Sequence, residues 1–466
     1  MFINDPLDNT SLSDDYVTTI FEDNQNNIWL GTISRGLMKV VSSQSLFKPN
    51  GNNLDLLNTL KEKQIRAIYE SNNGNLWVGT IDGLLLKYDP QKKIIKEFKS
   101  DLATGSKHKL SGPDIDAIYE DKEGIIWIGT FSGLDKYDPK KGTVNHTQVK
   151  YQNIINDFNL DIEAIIDADN ENLWIAVWDA GIFKFNKKTT VIEYYGWKDF
   201  DSTSLSNNQV FTLFKSNKRD LWVGTSDGLN LFDNSSKIFK HFLMGTTVSS
   251  IQEDKKGNIW AGTNNGLYKL DLISNIITHY TKENGLPSNL IGGILIDKED
   301  YLWIGTSAGL VRFNPRDKTF LKYDESDGAQ SNLYETGNSY FKTNNGLLLF
   351  GSFEGITVFD PDKIIHSTNP PKVLINAVNI FDTESNSESS SKYLKNNNAN
   401  SLILSHSQNE LIFEYVGIHF AHPKRNTYQY KLEPYDQNWQ PITYQRSARY
   451  TNLAPGDYTF KVKASK

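Results

Sequence analysis

The chain of 466 residues contains no cysteine. Disulfide staples, cysteine nucleophiles and thiolate metal sites are therefore excluded, although the absence fits an unstapled exported domain as well as a cytosolic one. No apolar run approaches the roughly 18 residues of a membrane-crossing helix. The opening MFINDPLDNT has neither the charged nor the apolar region of a secretory signal. Positive charge is not in excess: 49 Lys and Arg against 56 Asp and Glu leave a formal charge of −7, which argues against a nucleic-acid binder. Long amphipathic helical patterns are hard to find. Aromatics make up 12% of the chain and glycines number 32, the marks of a strand-rich and turn-rich protein. The length allows two or three domains with ample core.

One short pattern recurs. GNLWVGTIDGLLLKYDP, GIIWIGTFSGLDKYDP, RDLWVGTSDGLNLFD and GNIWAGTNNGLYKLD place Trp29, Trp77, Trp127, Trp174, Trp222, Trp260 and Trp303 at one position, and Leu349 takes it in an eighth copy. The spacing, from 38 residues (Trp222 to Trp260) to 50 (Trp77 to Trp127), is that of propeller blades. Each unit reads as four short strands: an alternating run such as IRAIYE or IDAIYE, the Trp strand, a third such as LLLKYDP, and a fourth such as IIKEFK or KIFKHF. One such sheet cannot bury both faces alone, whereas radial stacking covers them. The indole then fills the gap between neighbouring sheets, and the glycines serve close approach and tight turns. The motif is thus scaffold, and a site belongs where the copies disagree.

They disagree in the turn after the Trp strand. Six copies take six residues from the Trp (or Leu349) to the turn glycine, but WLGTISRG (29–36) and WIAVWDAG (174–181) take seven. The second replaces Gly-Thr with Ala176-Val177 and adds Trp178 and Asp179. The next connection, expected on the same rim, carries Tyr195, Trp197 and Asp199. Aromatics beside carboxylates suit stacking on a sugar ring while hydrogen-bonding its hydroxyls. The plain alternative is that Trp178 plugs the rim or the central channel. Arg35, in the other long turn, is a weaker ligand-binding candidate. No G-x-S-x-G, P-loop or H-E-x-x-H motif is present. His419 and His422 fall on opposite faces of a strand, and DADNEN (167–172) reads as turn chemistry rather than a calcium loop, so neither a metal nor another cofactor is expected.

Residues 372–466 alternate apolar and polar in ELIFEYVGI, TYQYKLE, ARYTNL and DYTFKVKAS, as in a small antiparallel sandwich. The Ser/Asn-rich ESNSESSSKYLKNNNAN (384–400) is expected to be a loop within it.

The repeat [LI]-W-[IVLA]-G-T-x-x-G-[LI] resembles the regulator-propeller repeats of hybrid two-component sensors. DGAQSNLYETGNSYFKTNNGLLLFGSFEGITVFDP (327–361) is similar to that family's final blade. The segment from PPKVLINAVNIFD onward resembles the Y_Y_Y domain that follows it, with Tyr428, Tyr430, Trp439, Tyr450 and Tyr458 at its aromatic positions and Pro434 departing from the usual glycine. The resemblance implies an all-β chain: a leftover blade of an upstream propeller (1–50), a seven-bladed β-propeller (51–368; alternatively eight-bladed) and an immunoglobulin-like β-sandwich of Y_Y_Y type, cut short at the C-terminus (369–466). A fragment of a longer protein is expected. The implied function is extracytoplasmic sensing, in the periplasm, of an oligosaccharide. The sandwich would signal to a histidine kinase encoded downstream, in a sensor expected to be a homodimer that meets the membrane only through segments outside this chain. No catalytic residue is expected here. The alternatives are a propeller lyase or glycoside-active enzyme, for which no recurrent His and carboxylate set can be assembled, and a protein-interaction scaffold.

Overall fold

A computed structural model describes residues 11–23, 28–40, 47, 54–99, 110–147, 150–151, 154–155, 160–334, 337–364, 371–382, 387–392, 401–418 and 426–465. His419, His422 and parts of the 384–400 segment lie outside these residues. The fold is all-β, with two compact units: Ser45–Ile364, and a second formed by Met1–Gln44 with Ile365–Lys466.

Within Ser45–Ile364 the repeats become a propeller-like series of antiparallel sheets. Six are four-stranded, beginning with Ile65–Glu70, Ile115–Glu120, Ile162–Asp167, Val210–Lys215, Val248–Glu253 and Ile291–Ile296. A three-stranded sheet begins with Tyr340–Lys342. In every four-stranded sheet the order in space is the order in sequence, a plain meander.

The indoles sit where the repeat requires. Trp77, Trp222, Trp260 and Trp303 are at most 1% exposed. Most repeat indoles meet an aromatic of the next sheet: Trp77 meets Tyr137 at 5.3 Å between ring centres, Trp127 meets Phe185 at 5.6 Å, Trp174 meets Phe232 at 5.3 Å, and Trp303 meets Phe359 at 4.7 Å. Such offset and edge-on aromatic pairs add to simple area burial. Six residues before the Trp, an aspartate often opens the first turn. Asp121, Asp254 and Asp297 accept from the indole Nε1–H of Trp127, Trp260 and Trp303 at 2.8–2.9 Å while capping the turn's backbone N–H groups. Where serine stands instead, at Ser71 and Ser216, the buried indole N–H groups of Trp77 and Trp222 have no hydrogen-bond partner.

The second glycine of the motif takes a left-handed φ, 75° at Gly83, which turns the chain without a Cβ penalty. The first permits close stacking: a Cβ on Gly79 would lie 2.6 Å from the backbone oxygen of Ile115 in the next sheet.

The seventh sheet treats the first as the first treats the second. Asn344 N–H donates to the Glu70 carboxylate at 2.6 Å, as Asn72 N–H donates to Glu120. Leu349 shares a core with Tyr88, and Asn338 forms a parallel bridge with Ala67. The seventh sheet has no fourth strand among the described residues. Phe47, 3% exposed, packs edge-on to Tyr323 (5.4 Å) and Phe359 (4.8 Å) where the sixth and seventh sheets meet.

In the second unit, Val17–Glu22, Ile28–Thr32 and Leu37–Val40 form a separate three-stranded sheet carrying Trp29. The C-terminal part has one sheet of Ser387–Lys392, Lys372–Asp382, Glu410–Ile418 and Ser447–Tyr450, in that order, and a second of Thr427–Glu433 with Thr459–Ser465. Both contribute to one core, in which Phe413 and Phe460 stack at 4.0 Å and Tyr428, Leu432 and Tyr450 are buried. The Tyr458 hydroxyl donates to the Ala454 carbonyl at 2.9 Å. The Ser/Asn-rich stretch is not wholly a loop: Ser387–Lys392 pairs with Lys372–Asp382 as an edge strand. Backbone pairing at an edge needs no apolar side chains, so composition misread it.

Candidate functional site

The first strand of each four-stranded sheet carries a β-bulge at one place. Pairing with the second strand skips a residue between Ile65 and Ala67, Ile115 and Ala117, Ile162 and Ala164, Val210 and Thr212, Val248 and Ser250, and Ile291 and Gly293. A bulge leaves its extra residue out of the ladder and re-aims its side chain. The extra residues are Arg66, Asp116, Glu163, Phe211, Ser249 and Gly292, with Asn338 at the matching place in the seventh sheet. Here the copies differ most, and the bulge turns the difference toward the axis. Asn338 shows it: from the seventh sheet its Nδ2 donates to the backbone carbonyls of Asp116 (3.1 Å) in the second and Glu163 in the third.

Three sheets bring charge to this axis. Arg66 Nε donates to Asp116 (2.6 Å) and Asp114 (3.1 Å). The carboxylates of Asp116, Asp161 and Glu163 lie within 4.8 Å of one another. Burial pushes all three up from the carboxylate range, Asp116 to about 8, Glu163 to about 7 and Asp161 to about 6. Arg66 opposes the shift and the neighbouring carboxylates add to it.

Trp178 adjoins the strand end that carries Asp161. Its backbone N–H donates to the Asp161 carbonyl at 2.8 Å, and its ring meets Phe211, the bulged residue of the fourth sheet, edge-on at 5.2 Å. It is half-buried. Asp179 is exposed at a left-handed φ of 57°.

Asn208 ties this turn to the following connection: its carbonyl accepts from Gly181 N–H (2.9 Å) and its Oδ1 from Trp197 N–H (2.7 Å). Trp197, 48% exposed, and exposed Asp199 therefore share the rim of Trp178. Phe200, unforeseen, is fully exposed at a φ of 60°, an unfavourable conformation for a bulky residue.

Two candidates do not join them. Tyr195 points between sheets, packed on Trp174 (5.6 Å) and Phe232 (4.9 Å), because its outer strand alternates and this position faces the neighbouring sheet. Arg35 is exposed in the other unit. Asp169 of DADNEN accepts from the backbone N–H groups of Glu171 and Asn172 at 3.0 Å and pairs with Lys184, which is turn chemistry. The outer-strand histidines His146, His241 and His279 bond to Asp135, Ser204 and Asn265.

The axial residues were legible in principle. Aligning IRAIYE, IDAIYE and IEAIID puts Arg, Asp and Glu at one position of an otherwise apolar strand.

Comparison with known proteins matches the family described as two component regulator propeller at residues 11–34, 59–82, 109–132, 243–265 and 285–308, and the Y_Y_Y domain at 419–466. A curated relative, histidine kinase P4 of Formosa agariphila, is 26% identical over 324 residues, covering 66% of this chain and 24% of its own length. The chain thus spans about a quarter of that relative. The extracellular domain of the hybrid two-component system BT3049 of B. thetaiotaomicron superposes with a TM-score of 0.72 at 23% identity, covering 100% of this chain and 61% of that one. The extracellular domain of the one-component system BT4673 from the same organism gives 0.57 at 19%, covering 99% and 62%.

Proposed function

We propose that this chain, built of two-component regulator propeller repeats followed by a Y_Y_Y domain, is the extracytoplasmic ligand-sensing region of a two-component signalling protein. On this reading Ser45–Ile364 is a seven-bladed propeller, the C-terminal part an immunoglobulin-like sandwich, and residues 11–40 a blade outside the ring. The ligand is an oligosaccharide, held on the rim where Trp178 and Trp197 offer stacking faces and Asp179 and Asp199 accept hydrogen bonds from its hydroxyls. The single observation that carries the reading is the order of the matched segments, regulator-propeller repeats followed by a Y_Y_Y domain; within the repeats, Asn208 gathers the rim residues from two separate turns.

The region binds and does not turn over. Signalling to a kinase across the membrane, in a homodimer, requires only that the sugar favour one arrangement of the sensor over another; equal affinity for both would transmit nothing. Incubation with a panel of polysaccharide fragments tests this. A fragment-specific rise in melting temperature with the fragment recovered intact supports sensing, whereas product formation would make the chain an enzyme.

A further inference from the structure

We propose that the axis of the ring binds a hard divalent cation of the calcium class, ligated by the carboxylates of Asp116, Asp161 and Glu163. Their oxygens lie within 4.8 Å of one another, the span of two ligands on opposite sides of a calcium ion with bonds of about 2.4 Å. Crowded acidic groups alone would carry nothing. The second observation is Asp116 itself: it is 4% exposed, Arg66 takes its Oδ1, and its Oδ2 is buried with no hydrogen-bond partner. A buried carboxylate oxygen left unmatched is costly, and a cation shared with Asp161 and Glu163 removes that cost.

The chemistry of the donors sets the class. Three carboxylates, with no cysteine in the chain, suit a hard cation that accepts six to eight oxygens in adaptable geometry rather than zinc. Arg66 pairs with Asp114 and with one oxygen of Asp116, and its charge also acts on Asp161 and Glu163, so one guanidinium faces four carboxyl groups. Asn338 fixes the backbone carbonyls of Asp116 and Glu163, which holds two of the ligating strands in place before any ion arrives. Protons compete for the same oxygens, so the ion binds more tightly as the pH rises. The inference does not depend on the ligand being a sugar.

The test is a terbium titration of the whole chain at pH 8, exciting indole. Trp178, whose backbone bonds to Asp161, is the sensitiser. Saturable green emission that calcium displaces is expected, weakened about tenfold or more in Asp116→Asn and in Glu163→Gln as a charged ligand is lost. Trp178→Phe should lose most of the emission while calorimetry still registers calcium. Melting curves establish that each variant is folded; should Asp116→Asn fail, Glu163→Gln and Asp161→Asn decide. No saturable calcium heat at millimolar concentration, or binding unchanged in the folded carboxylate variants, overturns the proposal.

Discussion

The side-chain amide of Asn338 donates to the backbone carbonyl of Glu163, 175 residues earlier in the chain. It also reaches Asp116, so one side chain of the last sheet ties down the inner strands of the second and third. Replacing Asn338 with alanine leaves both carbonyls without this donor. A loss of about 1–3 kcal/mol in urea unfolding is expected, and a loss indistinguishable from zero would mean the tie is decorative.

The orphan indoles give a gain rather than a loss. Ser71 occupies the place that Asp121, Asp254 and Asp297 hold in sister sheets, and Trp77 Nε1–H has no acceptor. Ser71→Asp supplies one in the geometry that the repeat already uses. Stability should rise by about 1 kcal/mol, read as a higher urea midpoint with unchanged m-value.

The axial carboxylates predict an inverted pH dependence in chelator-treated protein. Asp116, Glu163 and Asp161 are all raised in the folded state, facing one another, Asp114 and Arg66. The folded chain therefore holds protons that the unfolded chain has released. Their contribution is fully present below about pH 4, the unfolded carboxylate range, and is lost as the pH climbs through about 6 to about 8. Melting temperature should fall across that window, and Asp116→Asn should flatten the fall. A melting curve that rises from pH 5 to 8 and is unaffected by the substitution would contradict this.

What could be read in the amino acids, and what could not, divides along the repeat. Trp77 to Trp303 recur, so their burial and the meander around them follow from period alone. Tyr195 recurs as Phe98, Phe242, Tyr280 and Tyr323 on the outer strands, each packed on its own sheet's Trp, so its place between sheets was there to be read, whereas Trp197 lies past the strand end and has no counterpart. Ser387–Lys392 became a strand through backbone pairing, which composition does not register. The axial group stayed hidden for a further reason. Arg66, Asp116 and Glu163 look like ordinary outward positions of alternating strands until the bulge, a backbone event, turns them inward.

Scaffold and rim tryptophans should separate cleanly. Trp303→Ala empties a fully buried site and should cost about 3–5 kcal/mol. Trp197→Ala, at a residue 48% exposed, should leave stability within about 0.5 kcal/mol. Denaturant titration of the two variants side by side makes the comparison.

Calorimetric titration of the intact chain with an oligosaccharide from the fragment panel, repeated on Trp178→Ala and Trp197→Ala, bears most directly on the sensing role. The account predicts saturable binding of unaltered sugar to the parent chain, and at least about tenfold weaker binding by both variants at parental melting temperature, the loss of a stacking face worth about 1–2 kcal/mol. Equal binding by all three proteins, or cleavage of the sugar in the cell, would contradict it.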